Sequence, residues 1–299
     1  MLKQRIVTAA VLLTAIVWAL FFAAPWVWGV LSLVLFAAAG WEWGALLGRA
    51  GPVGGDGGAG EGADASAGSR AAIGVTAAVT VAGLAWLAWR GGFELGAGTD
   101  GTGPWLAALL VVDLLLWLGL ALPAVLAAKP RGDHPAFATV AIFCLWVAVL
   151  ELRLIHPVLV LSAMAIVWFA DVGAYFVGRA VGRRKLAVRV SPNKSWEGAW
   201  GGLAAVLVIA ALAWWAWPDA PVLSNLLASR AGLSLAALAL TAIVALSIVG
   251  DLYESLLKRA KGVKDSGRLL PGHGGVLDRI DALVPTMPAC LLLWQALAR

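Results

Sequence analysis

The sequence predicts an all-α, polytopic membrane protein with about nine transmembrane helices. Three observations carry this. Hydrophobic residues make up 62% of the 299 positions and charged residues 13%, whereas a soluble domain carries about 25% charged residues. Uncharged apolar runs recur along the chain, among them Ile6–Trp41, Ala71–Trp89, Gly198–Pro218, Ala231–Gly250 and Ala282–Ala298. Each is long enough to cross about 30 Å of hydrocarbon, or nearly so. The runs are continuous rather than alternating, which selects helices over barrel strands. The same composition excludes a disordered chain. Two cysteines in the whole sequence exclude a disulfide scaffold.

Read in order, the spans fall at 5–24, 26–47, 71–90, 104–128, 136–153, 157–181, 198–217, 233–257 and 277–298. The first has Lys3 and Arg5 before an apolar core and small residues at Ala23 and Ala24, as a signal peptide does. A second span follows after a short turn at Pro25, so the first reads as an uncleaved helix. Residues 1–50 are then an N-terminal helix pair. Residues 51–70 are a flexible linker of Gly, Ala and Ser, and 71–299 form the helical membrane domain. Many of the 17 tryptophans sit near run ends, as at Trp26, Trp28, Trp89, Trp105, Trp215 and Trp217, which an interfacial aromatic belt explains. Trp117 is central and reads as packing, and Cys144 and Cys290 read as packed thiols.

Basic residues orient the bundle. With the N-terminus in the cytoplasm, every Lys and Arg except Arg90, Arg153, Arg230 and Arg299 falls on the cytoplasmic side. The net charge of +5 is therefore accounted for by loops facing anionic headgroups, and no nucleic-acid partner is expected.

Acids at membrane depth need partners or a wet cavity. Glu42, Asp113 and Glu151 are isolated in the sequence and read as polar helix contacts. The others cluster. Asp251, Glu254, Ser255 and Lys258 share one helix face by their spacing. Asp278 and Asp281 share another at the start of the last span. Asp171, Tyr175, Gly178 and Arg179 form a third. Two basic, glycine-bearing loops adjoin them, 179–198 and 258–276. Carboxylates for a hard cation beside a Lys/Arg cluster are the equipment of phosphoryl or nucleotidyl transfer. Gly272, Gly274 and Gly275 allow close approach of backbone to phosphate oxygens. His273 among them either donates to a phosphate or acts as an acid, or else shapes the turn. His134 and His156 read as solvated loop residues. A transporter is disfavoured, because the acids gather at one membrane face and no inverted repeat is present.

The segment Ser255–Asp281, SLLKRAKGVKDSGRLLPGHGGVLDRID, resembles the signature of the phosphatidate cytidylyltransferases (CDP-diacylglycerol synthases) of bacterial type. The matching positions are Ser255, Lys258, Arg259, Lys264, Asp265, Pro271 to Gly275, Asp278, Arg279 and Asp281. The lead-in Gly250-Asp251-Leu252 with Glu254-Ser255, the segments DVGAYFVGR and SPNKSWEG, and the opening LKQRIVTA are similar to family segments as well. The resemblance covers 171–281, with the signature at 250–281. The resemblance implies that CTP and phosphatidate give CDP-diacylglycerol and pyrophosphate, at a site facing the cytoplasm of a bacterial inner membrane. It implies Mg²⁺ with K⁺ as a second cation, and a homodimer. Metal ligands are then Asp251, Asp278 and Asp281. Catalytic positions are Lys258, Arg259, Lys264, Asp265, His273, Arg279 and Asp281. Substrate contacts are Asp171, Tyr175, Arg179, Ser191, Asn193, Lys194, Ser195, Glu197 and Ser255, with 191–197 toward CTP. A related enzyme acting on an isoprenoid lipid phosphate stays open on the signature alone.

Overall fold

Four of the long helices begin on a proline, whose fixed φ and missing N–H suit a first helical turn. In the computed structural model these are α1 (Pro25–Leu47), α3 (Pro104–Ala127), α4 (Pro135–Ile155) and α5 (Pro157–Val181). The structure describes residues 14–48, 61–91, 103–130, 134–270, 272 and 274–298. The remaining elements are α2 (Glu61–Trp89), β1 (Lys185–Ala187), β2 (Ser191–Ser195), α6 (Trp196–Ala216), α7 (Leu223–Ala231), α8 (Leu233–Ala260), α9 (Leu277–Ile280) and α10 (Leu283–Ala298). A further helical stretch covers 14–21. His273 and Pro271 lie outside the described residues, as do Lys3, Arg5, Arg49, Arg131 and most of both glycine-rich connections.

Among the described residues, seven helices are long and apolar enough to cross a membrane, α1 to α6 and α8. The class is that of an all-α polytopic membrane protein. The details differ from the sequence reading in four places. First, α2 starts at Glu61 rather than Ala71, so the end of the Gly/Ala/Ser segment is helical and not a flexible linker. Second, the short α7 was not anticipated. It is held to the preceding turn by Asn225 Nδ2, which donates to Trp217 O at 2.7 Å. Third, the expected span 277–298 is two pieces. α9 ends at Ile280, and α10 restarts at Leu283 with Pro285 in its first turn, so Asp278 and Asp281 precede this shorter apolar helix instead of lying on its face. Fourth, the basic loop between α5 and α6 contains an antiparallel hairpin pairing Lys185 with Ser195 and Ala187 with Ser191.

The core runs through the whole bundle, and an aromatic cluster within it joins α1, α3, α4 and α8. Trp43, Trp117, Phe137 and Tyr253, one from each, pack edge-on or tilted with ring centroids 5.3–6.4 Å apart, a favourable geometry for aromatic quadrupoles. Within α3, a π-helical turn at Trp117–Ala121 precedes Pro123, which has no N–H to give to the residue one turn back. Trp89, Trp105, Trp215 and Trp217 are exposed, as a belt requires, whereas Trp28 is buried in the core. Cys144 and Cys290 are free and buried.

Glu151 is not isolated. Arg90 grips its carboxylate bidentately, at 2.9 and 3.0 Å, and Trp86 Nε1 donates to it at 3.0 Å. Asp113 is buried on α3. His134 and His156 are helix caps, with Nδ1 accepting from Ala136 N and Val158 N. The α5–α6 pair is close because small residues face each other. At Gly173 and Gly202 a Cβ would crowd into the backbone of the opposite helix, the small-residue contact typical of membrane helices.

Candidate active site

The hairpin and three helices line a cavity of about 600 Å³ whose walls combine apolar surface with a group of charged and polar side chains. Of the sequence-predicted residues, Asp171, Tyr175 and Arg179 of α5 line it, with Ser191, Asn193, Lys194 and Ser195 of β2 and Asp251 of α8. The i, i+4, i+8 spacing on α5 puts its three residues on one helix face, and Ser191, Asn193 and Ser195 share one face of β2, with Lys194 out of phase between them and reaching the cavity at its contact with Asp251. Lys194 Nζ meets Asp251 Oδ2 at 2.5 Å, and Ser255 Oγ donates to Asp251 Oδ1 at 3.4 Å. Arg179 Nη1 donates to Tyr175 Oη one turn earlier at 2.9 Å. Ser195 also caps α6, its Oγ accepting from Gly198 N at 3.1 Å.

Glu197 does not line the cavity. Its carboxylate accepts from the backbone N–H groups of Arg183 and Arg184 at 3.0–3.2 Å. It ties the end of α5 to the start of α6, so its part is to hold the hairpin. Ser255 does not line the cavity either and reaches it only through Asp251.

A second group lies beside the first. Lys258 Nζ stands between two carboxylates, 2.5 Å from Glu254 Oε2 and 2.7 Å from Asp278 Oδ1. Asp278 is saturated with donors. Ser266 N–H reaches both its oxygens at 3.1 and 3.0 Å, and Gly275 N–H donates to Oδ2 at 2.8 Å. Burial works against the charge on Asp278, but these donors outweigh it and bring its pKa to about 2. Asp281 behaves oppositely. Burial, then the neighbouring Asp251 charge, push its carboxyl well above the ordinary range. Where α8 passes Asp281, Gly250 is required, because a Cβ there would meet the Asp281 carbonyl oxygen.

The signature loop itself closes on a bridge, with Leu270 N donating to Gly274 O at 3.0 Å. Gly272 and Gly274 take φ of +76° and +84°, values that side chains rarely adopt. Lys264 and Asp265 are exposed and line another cavity, of about 750 Å³, together with Glu42, Ser266 and Arg268. Arg259 and Arg279 are exposed. The predicted residues thus divide into a cavity set, a Lys258-centred set and a set on the loop's far side. Glu42, which the sequence reading left as an isolated helix contact, is held against this loop. Its Oε2 accepts from Ser266 Oγ at 3.1 Å and from Leu277 N–H at 2.8 Å. The available signal was an acid inside an apolar helix, which demands a partner.

Among the described residues, no three His, Cys, Asp or Glu side chains converge as a ready-made metal site. The predicted trio Asp251, Asp278 and Asp281 is therefore not a closed cage. The donor set still fits a hard cation completed by substrate. Asp251 interacts electrostatically with both Asp171 and Asp281. Buried Glu254 has an Oε1 with no hydrogen-bond partner among the described residues. Lys194 and Lys258 are set against these carboxylates and Asp278. Mg²⁺ commonly takes one or two carboxylates and fills its remaining positions with water and phosphate oxygens.

Comparison with known proteins gives the family. A phosphatidate cytidylyltransferase of Haemophilus influenzae is 43% identical over 198 residues, which is 60% of this chain and 66% of the relative. That of Pseudomonas aeruginosa is 49% identical over 139 residues, 46% of this chain and 48% of the relative. That of Bacillus subtilis is 44% identical over 126 residues, 42% and 43% of the two chains. The matches span less than two thirds of each relative's length. The sequence model of the cytidylyltransferase family covers residues 70–297, taking in the cavity, the Lys258 cluster and the loop, and the chain belongs to that family.

Proposed function

We propose that the chain transfers the cytidylyl group of CTP to the phosphate of phosphatidate, forming CDP-diacylglycerol and releasing pyrophosphate. The observation that carries this is the cavity of mixed lining in which Lys194 and Asp251 are in contact, beside the Lys258–Asp278 pair. The nucleophile is a phosphate oxygen, already anionic, so no strong base is needed. The barrier is the approach of two polyanions and the loss of pyrophosphate. Lys194 and Arg179 are placed to screen the CTP phosphates. Lys258, fixed between Glu254 and Asp278, presents a charge that does not have to reorganise during reaction. A cavity with both apolar walls and charged side chains, in a bundle of apolar helices, serves one water-soluble and one lipid substrate.

Asp251, Asp278 and Asp281 are the proposed carboxylates for Mg²⁺, with K⁺ as a second cation. Asp278 takes part only by giving up some of its present donors. A bound divalent ion would neutralise phosphate charge and stabilise the leaving pyrophosphate. We place the site on the cytoplasmic side of a bacterial inner membrane, on the positive-inside rule. A homodimer is carried over from the family resemblance.

The test is CTP-dependent pyrophosphate release by the purified protein in detergent with phosphatidate, varying Mg²⁺ and K⁺ separately. Release should require both substrates and Mg²⁺ and should rise with K⁺. No release under any of these conditions would overturn the reading, and release with an isoprenoid lipid phosphate alone would reassign the acceptor. Lys194→Ala should raise the KM for CTP by about tenfold and that for phosphatidate by less than about twofold. Equal effects on both would remove β2 from nucleotide binding.

A further inference from the structure

Helix α1 lies outside the segment that matches the family model, yet it supplies a buried contact to the signature loop. Glu42 is 2% exposed. The loop leaves room for its carboxylate by lacking side chains on both sides. A Cβ on Gly267 would overlap Glu42 Oε1, and one on Gly275 would overlap Oε2. Ser266 is then gripped from two directions. Its hydroxyl donates to Glu42 at 3.1 Å, and its N–H donates to both oxygens of Asp278. Leu277 N–H, at the start of α9, also donates to Glu42, at 2.8 Å. One carboxylate from α1 therefore fixes the loop at Ser266 and the helical turn that carries Asp278.

We propose that Glu42 is a positioning residue for the transfer site, setting Asp278, and through it Lys258, by clamping Ser266 and Leu277. The proposal rests on the reading that this loop carries the transfer. Lys264 and Asp265 directly precede Ser266, so the same clamp fixes where they are presented. The requirement is for an acceptor and not for a charge, because Oε1 has no hydrogen-bond partner among the described residues. A Gln side chain keeps one acceptor oxygen for both donors.

The test compares Glu42→Ala, Glu42→Gln and Ser266→Ala in the full-length protein, by steady-state turnover and by amide hydrogen exchange. Glu42→Ala should lower kcat by at least about tenfold, as a small misplacement of a catalytic group does. The KM for CTP should stay within about twofold, because Glu42 does not line the cavity that holds Lys194. Exchange should quicken in 264–277 and not in α4 or α5. Glu42→Gln should recover most of kcat. Combining Glu42→Ala with Ser266→Ala should cost little more than Glu42→Ala alone, since both break one contact. A kcat for Glu42→Ala within about twofold of wild type, or exchange that quickens equally in all helices, would overturn the proposal. If wild type shows no turnover with CTP and phosphatidate, the assigned activity fails, and the exchange pattern still decides the clamp.

Discussion

Asp278→Asn should lower CTP-dependent pyrophosphate release by about 10³-fold, the scale of losing a preorganised charged group in a site. Both oxygens of Asp278 accept hydrogen bonds, from Lys258 Nζ and Ser266 N–H on one and from Ser266 N–H and Gly275 N–H on the other. An amide has only one acceptor oxygen. Its NH₂ must then face either Lys258 or the Gly275 N–H, donor against donor. The charge goes too, and with Asp278 held near 2 that charge is present across the working pH range. The variant should still insert and fold, because the aromatic core of α1, α3, α4 and α8 does not include Asp278. Turnover near that of wild type, with melting unchanged in detergent, would remove Asp278 from the machinery. Turnover lost together with gross unfolding would assign Asp278 a structural part only.

Lys258→Met should abolish turnover and destabilise the protein by about 3–5 kcal/mol, the cost of removing one partner from a buried ion cluster. The Lys258 side chain is 14% exposed, Glu254 5% and Asp278 6%. Without the ammonium, two carboxylates face each other in a poorly solvated place. Stability should return in part when Glu254→Gln is added, which removes one stranded charge, while turnover should not. Thermal melting in detergent and pyrophosphate release separate the two effects. If Lys258→Met melts like wild type, the pair is not desolvated as described. If the double variant regains turnover, Lys258 acts only to neutralise Glu254.

Much of the site was legible because its residues lie in two short stretches with local periodicity. Asp171, Tyr175 and Arg179 are one helix face of α5, and the structure finds them lining one cavity with Lys194 and Asp251. Charge pairing was not legible, because it depends on which helices become neighbours. Nothing at Glu151 announces Arg90, 61 positions away. The membrane-facing helices were readable from uninterrupted apolar runs. Their ends were less so at α2 and α9, where helix formation follows backbone hydrogen bonding more than hydropathy. Glu197 lies off the cavity lining for a related reason. A carboxylate next to a basic loop reads as a substrate contact, but here two backbone N–H groups claim it first.

The sequence by itself determined that this is a helical membrane protein and that its charged and polar side chains cluster in 171–198 and 250–281. Composition, run length and local spacing are properties of neighbours along the chain, and they carry that information. Only the tertiary structure decided that Asp278 is committed to Lys258 and two loop N–H groups. It alone showed that Glu42 reaches residues 224 and 235 positions away. A buried carboxylate takes whichever donors the packed helices bring within about 3 Å, and that choice is made by the fold, not by the residues beside it in sequence.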